Sequence, residues 1–286
     1  MTKIKDSLLA LTSYPDPTPD YIVDQAADFS KLMGARLSAL IFVLNRSRVA
    51  RMHSMGEWLI DVPGLIDEAV QRSATEATRL LAHFENVAKR RNVFEKSLSE
   101  QTSIFPSPDT IVSHARMHDV TFLPIADQVG LDELNSETVI FGSGRPTVLL
   151  PARADYKPKP ASLDIIAVAW DFSRSAARAL ADAMPIIEKA KRVHIFTVVD
   201  EKPMPEKLNS ERLERHLLLH GIDATLERVE AAGRDIGKVI EGFIAANHAD
   251  LLVMGAFGHS RMMEFILGGA TRSILNHPPV PVLISH

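Results

Sequence analysis

The sequence predicts an α/β fold: two doubly wound, mostly parallel five-stranded sheets with helices on both faces. Three observations predict it. Short continuous apolar runs alternate with helix-like segments, the same order of segments occurs twice, and a proline- and charge-rich stretch separates the two copies.

The first copy opens on Leu8-Leu9-Ala10-Leu11 and the second on Ile165-Ile166-Ala167-Val168-Ala169, each following an aspartate, Asp6 or Asp164. Continuous apolar runs of this length suit strands covered on both faces, as in a parallel sheet. Helical segments follow over Thr18 to Met33 and Ser173 to Lys191, then second strands over Leu37 to Leu44 and Val193 to Val199. Each copy therefore begins as a βαβ unit.

The next helix of the first copy, Gly64 to Arg91, places Ile66, Ala69, Val70, Ala74, Ala77, Leu80, Leu81, Phe84 and Val87 on one face. That stripe predicts packing against the sheet. Its shorter counterpart is Pro205 to His220. Third strands are expected at Val93 to Ser99 and Ala224 to Val229, and helices at Asp109 to Met117 and Asp235 to Asn247. The fourth strands, Asp119 to Pro124 and Asp250 to Gly255, align residue for residue. A last helix and a fifth strand, Thr147 to Leu150 or Val280 to Ser285, close each copy. The boundaries follow as 1–151, an exposed linker at 152–160 containing Pro158 and Pro160, and 161–286.

Composition narrows the function. The chain is 46% hydrophobic and 24% charged with a net charge of −4, so nothing favours broad attraction to nucleic acid or to an anionic membrane. Cysteine is absent, which excludes disulfides, a cysteine nucleophile and zinc-thiolate sites, and fits a reducing, cytoplasmic setting. No apolar run is long enough to span a bilayer and no signal-peptide pattern opens the chain.

One segment carries chemistry. After the fourth strand of the second copy comes Gly255-Ala-Phe-Gly258-His259-Ser260-Arg261, and then Gly268-Gly269-Ala270-Thr271 where the last helix should begin. Glycines let backbone approach a ligand closely. Free N–H groups at a helix start, aided by the dipole, suit phosphate, and the Thr271 hydroxyl adds a donor.

This segment closely resembles the nucleotide-binding signature of universal stress proteins: a glycine, two residues, a glycine, nine residues, then a glycine followed by serine or threonine. Gly255, Gly258 and Gly268 match the spacing. Asp250 to Met254 and Pro279 to Ile284 also look like the family, so the resemblance covers essentially all of the second half; the first matches in pattern only. The resemblance implies one site for ATP or a related adenine nucleotide, with or without Mg²⁺. Asp171 would lie near the base and ribose, Val198 would line the adenine pocket, and Met254 and Gly255 would touch the ligand from the fourth strand. His259, Arg261, Gly268, Gly269, Ala270 and Thr271 would surround the phosphates. Asp171 also suits a helix N-cap. Gly269 departs from the family, which has Ser or Thr there, and the missing hydroxyl is worth about 1 kcal/mol, roughly fivefold in affinity.

The first copy offers Pro124-Ile-Ala-Asp127-Gln-Val-Gly130 at the corresponding place, with proline for the glycine and Asp127 on the phosphate path. Proline removes a donor and a carboxylate repels phosphate, so no equivalent site is expected. Ser13 is read as the counterpart of Asp171, and Gly142-Ser143-Gly144 as a helix stop. The pairs His114/His118 and His216/His220 have helical spacing, but neither shows a third metal ligand. Met52 to Trp58 reads as an insertion able to form a partner surface.

No Walker lysine, nucleophile elbow or paired carboxylates mark an enzyme, and no catalytic residue is assigned. The expectation is a nucleotide-binding stress-response regulator with an unknown protein partner. The alternatives are a slow ATPase or nucleotidyl enzyme in the same pocket, and a partner-binding scaffold without nucleotide. The resemblance also implies dimerisation through the last strand, so the two fifth strands are expected to pair within the chain and pack the halves as an internal pseudo-dimer, covering two sheet edges, and a homodimer is compatible with the pattern.

Overall fold

Continuous burial of strands on both faces organises the protein. The structure, a computed structural model, describes residues 3–52, 62–103, 108–126, 131–158, 161–199, 210–256 and 269–286. In the first half β1 (Asp6–Thr12), α1 (Asp20–Met33) and β2 (Arg36–Leu44) are followed by α2 (Arg46–Met52), α3 (Val62–Arg90) and β3 (Phe94–Thr102). Then come α4 (Pro108–Arg116), β4 (Val120–Ile125), α5 (Leu131–Gly142) and β5 (Thr147–Pro151). The second half runs β6 (Ile165–Ala169), α6 (Arg174–Ile187), β7 (Arg192–Val199), α7 (Ser210–Leu219) and β8 (Ala224–Glu230). It ends with α8 (Ile236–Asn247), β9 (Leu251–Gly255), α9 (Gly269–Asn276) and β10 (Val282–Ser285). The short α2 was not expected from the sequence.

The strands lie in the order β3-β2-β1-β4-β5-β10-β9-β6-β7-β8. Every pairing within a half is parallel. At the seam β5 and β10 pair antiparallel, Val282 opposite Leu149 and Ile284 opposite Thr147. The expected two sheets are thus joined into one of ten strands, because each half offered the other an unpaired edge. Two apolar layers, one on each face, run through both halves. One holds Phe84, Phe122, Val148, Leu283 and Val253; the other holds Leu8, Leu149, Ile284, Leu252 and Phe243. Shared cores make the internal pseudo-dimer a single packed body.

Local chemistry sets the helix ends. α1 stops at Gly34, whose φ of 77° only glycine adopts cheaply. Ser173 caps α6 by accepting from Ala176 N–H, and Asp235 caps α8 by accepting from Lys238 N–H. The α3 stripe packs as expected, with Leu80, Phe84 and Val87 fully buried.

The halves repeat one device. Asp119 Oδ2 accepts from the N–H groups of Lys5 (2.8 Å) and Asp6 (3.1 Å). Asp250 Oδ2 accepts from those of Asp164 (3.1 Å) and Ile165 (2.9 Å). These bonds make Asp6 the counterpart of Ile165, so the Asp6/Asp164 match is one residue out of step. Thr12, rather than Ser13, therefore stands where Asp171 stands.

The stretch between the halves is exposed at Ala154, Asp155, Lys157 and Pro158, but its start is not. Pro151, Ala152 and Arg153 are buried. Arg153 Nη1 donates to the Pro278 carbonyl at 2.8 Å, its Nε pairs with Asp155, and Tyr21 Oη donates to the Pro151 carbonyl. A long side chain with its charge satisfied can be buried where an unpaired one could not.

Candidate functional site

In a parallel sheet of this kind ligands sit beyond the carboxyl ends of the strands, where successive connections diverge. In the second half that end is built by β6, β9 and β10 with the starts of α6 and α9. β9 finishes on Gly255 and α9 begins on Gly269. Gly258, His259, Arg261 and Gly268 lie outside the described residues, between those two points.

Gly255 has a packing reason of its own. A Cβ there would come within 2.5 Å of Ala176 N and Ser175 C, the backbone of the first turn of α6. The strand end is pressed against that helix, so the missing side chain serves the scaffold as well as any ligand. Met254 is buried, Val198 is half-buried beside the Phe196 and Phe243 layer, and Thr271 is buried in the first turn of α9. Ala270 and Gly269 belong to that same turn.

Asp171 is exposed at the end of β6, and its Oδ1 accepts from Ser173 N–H at 2.9 Å. It is not the helix cap, since Ser173 fills that role. Phe172 between them has a φ of 61°, and its ring meets that of Trp170 edge-on at 5.8 Å. The carboxylate therefore stiffens a strained turn at the ligand end.

Two groups there had no sequence signal. Trp170 Nε1 and Ser285 Oγ are buried with no hydrogen-bond partner among the described residues. Ser285 is paired with Gly255 in the sheet, and Trp170 directly follows Ala169, the partner of Met254. Buried polar atoms without partners are uncommon, and these two flank the strand that carries the glycine segment. This fits a polar guest. Burial, and then the nearby Arg174 guanidinium, holds His286 below the ordinary imidazole value at the same end.

At the corresponding end of the first half, side chains of β2, α2 and α3 and of the residues just after β1 meet. Leu44, Val49 and Ile66, from β2, α2 and α3, form a small apolar cluster with Tyr14, Ala69 and Val70 packed on it. Beneath it Ser13 Oγ donates to the Phe42 carbonyl at 2.6 Å and meets Ser73 Oγ at 2.7 Å. Ser73 also accepts from Leu44 N–H at 3.0 Å. α3 thus reaches over the strand ends and joins β1 to β2 there. Asp127 and Gly130 lie outside the described residues. Gly142 ends α5, and Gly144 turns the chain with a φ of 68°, as a helix stop requires.

The histidine pairs differ. His118 turns its Nδ1 onto the His114 carbonyl at 2.7 Å, while His114 Nε2 faces Glu100 at 3.4 Å. His216 and His220 do meet, with ring centroids 4.9 Å apart. No cluster of three or more potential metal ligands occurs among the described residues. Residues 53–58 of the expected insertion lie outside them.

Fold and strand-end segment together define a class: two doubly wound α/β halves in tandem, with a glycine-rich sequence between β9 and α9 of the second half. Residues 163–286 match the model of the Universal stress protein family. The first half repeats the same fold. Among curated proteins none matches the chain. A universal stress protein from Archaeoglobus fulgidus has the same architecture, with a TM-score of 0.68 at 19% identity, covering 98% of this chain and 96% of that one. A putative universal stress protein from Pseudomonas aeruginosa gives 0.56 at 14% identity, covering 99% and 93%. A functionally unknown protein from Pseudomonas aeruginosa gives 0.55 at 13% identity, covering 99% and 92%. At such identities the likeness is one of fold.

Proposed function

We propose that the second half binds ATP or a related adenine nucleotide, and that occupancy of this one site sets the partners of a stress-response regulator. One observation carries the reading. The family-like glycine segment spans the connection from the end of β9 at Gly255 to the start of α9 at Gly269, at the ligand end of a parallel sheet. Trp170 Nε1 and Ser285 Oγ, without a hydrogen-bond partner among the described residues, support a polar guest in the same place.

Asp171, Val198 and Met254 would hold the nucleoside, and Gly258, His259, Arg261, Gly268, Gly269, Ala270 and Thr271 the phosphates. Mg²⁺ would arrive on the triphosphate, whose oxygens and waters satisfy it. A ligand shifts a conformational equilibrium only by its difference in affinity between states, so regulation requires a segment that changes on binding. We place the domain boundary in residues 152–160, and the cysteine-free composition fits a cytoplasmic location.

Thermal melting with ATP tests the reading. Ligand at about a hundredfold its Kd adds roughly 2.7 kcal/mol of stability, a rise of several degrees. The rise is expected with ATP and absent in Gly268→Val; no rise at millimolar ATP and Mg²⁺ rejects the site. The hydroxyl missing at Gly269 favours a second reading, a scaffold that binds partners without nucleotide. Nucleotide retained through purification would exclude that.

A further inference from the structure

α8 and α9 both begin at the ligand end of the second half, and the first turn of α8 touches α9 just past the first turn of α9. Gly237 is the second residue of α8, and Ser273 lies one turn into α9. A Cβ built on Gly237 would stand 2.5 Å from Ser273 Cβ, closer still to its Oγ, and 3.0 Å from Asp235 Oδ1. Ser273 Cβ is fixed to the helix backbone, so rotating the side chain relieves only the contact with the hydroxyl. Restoring an ordinary carbon–carbon contact requires the helices to separate by roughly 1 Å or more.

α9 is the helix that would yield. α8 runs for 12 residues, with Asp235 accepting from Lys238 N–H at its start and the left-handed His248 at its end. α9 has 8 residues, and its Ile274 and Leu275 are buried against the sheet, so it cannot sink inward. The displacement would fall on its first turn, which is the turn of Gly269, Ala270 and Thr271.

We infer that Gly237 is a positioning residue for the nucleotide phosphates: its missing side chain lets the first turn of α9 stand close to α8 and so fixes where the donors of that turn point. The inference rests on the nucleotide reading above. It concerns the phosphates alone, because the nucleoside residues Asp171, Val198 and Met254 belong to β6, β7 and β9 or their ends.

A donor–acceptor distance of about 2.9 Å stretched by 1 Å is no longer a hydrogen bond, and losing one bond to a charged group lowers affinity by about tenfold or more. Calorimetry on the full chain with Mg·ATP and with adenosine tests this. Gly237→Ala is expected to bind ATP at least tenfold more weakly and adenosine as the wild type does. Adding Ser273→Gly, which removes the opposing side chain, is expected to restore ATP affinity to within about threefold. Gly242→Ala serves as the control, since a Cβ there meets nothing within 4 Å, and it should bind both ligands unchanged.

Wild-type ATP affinity in Gly237→Ala overturns the inference, as does an equal loss for ATP and adenosine, or a double variant that folds but stays weak. Should Gly237→Ala fail to fold alone, the double variant decides: near-wild-type ATP binding supports the inference, and weak binding overturns it. Absence of ATP binding in the wild type defeats the nucleotide reading itself, and the inference with it.

Discussion

Replacing Asp250 by alanine probes the device that both halves share. One carboxylate oxygen accepts from two backbone N–H groups, Asp164 at 3.1 Å and Ile165 at 2.9 Å, and so ties the start of β6 to that of β9. Each bond to a charged acceptor contributes about 1.5–3 kcal/mol when well buried, and both are only partly buried, so their joint loss is about 2–3 kcal/mol. For a chain of this size that is a fall in Tm of about 4–10 °C. Asp250→Asn keeps an acceptor but not the charge and should lose about half as much. Differential scanning calorimetry reads all three. Asp119→Ala should cost less, because its bond to Lys5 N–H is solvent-exposed. An Asp250→Ala protein within about 0.5 kcal/mol of wild type would refute the reasoning, as would an Asn variant no better than Ala.

Gly255→Ala forces a methyl into the backbone of Ser175 and Ala176, and overpacking of that kind costs about 1–3 kcal/mol or more; chemical denaturation without any nucleotide should show the full loss. Ser73→Ala removes the acceptor of Leu44 N–H and the neighbour of Ser13 Oγ inside the first half, with an expected loss of about 1–2 kcal/mol in the same assay. Burial, which outweighs the opposing charge of His118, raises the Asp6 carboxyl above 3.8, with Asp119 adding to the rise. Its contribution is therefore full below pH 3.8 and is lost as pH climbs through the raised value. Asp6→Asn should melt higher than wild type at pH 7, and the difference should close toward pH 3.8; a constant difference would contradict the assignment.

The strands were legible because parallel strands buried on both faces read as unbroken apolar runs, as in Leu8 to Leu11 and Ile165 to Ala169. The α3 stripe was legible because its period is helical. Other features depend on distant partners. Arg153 looked solvent-exposed until the Pro278 carbonyl satisfied it, and the seam of β5 with β10 is a pairing between edges that no local pattern specifies. The 7-residue α2, with Val49 buried after the exposed Arg46, Ser47 and Arg48, is too short for a period to show.

The candidate site divides in the same way. The spacing of Gly255, Gly258 and Gly268 is local and readable. The contact of Gly255 with α6, the contact of Gly237 with Ser273, and the burial of Trp170 Nε1 and Ser285 Oγ exist only once the sheet has formed. The one-residue slip between Asp6 and Asp164 has a related cause. Both precede an apolar run, and only the bonds to Asp119 and Asp250 set the true register.

The central claim is one nucleotide site per chain, in the second half, and none in the first. Isothermal titration of the full chain with ATP and Mg²⁺ tests it most directly. The account predicts saturable heat with a stoichiometry of one per chain, abolished by Gly268→Val and unchanged by Ser73→Ala. A stoichiometry of two, binding that survives Gly268→Val, or no heat at millimolar ATP would contradict it.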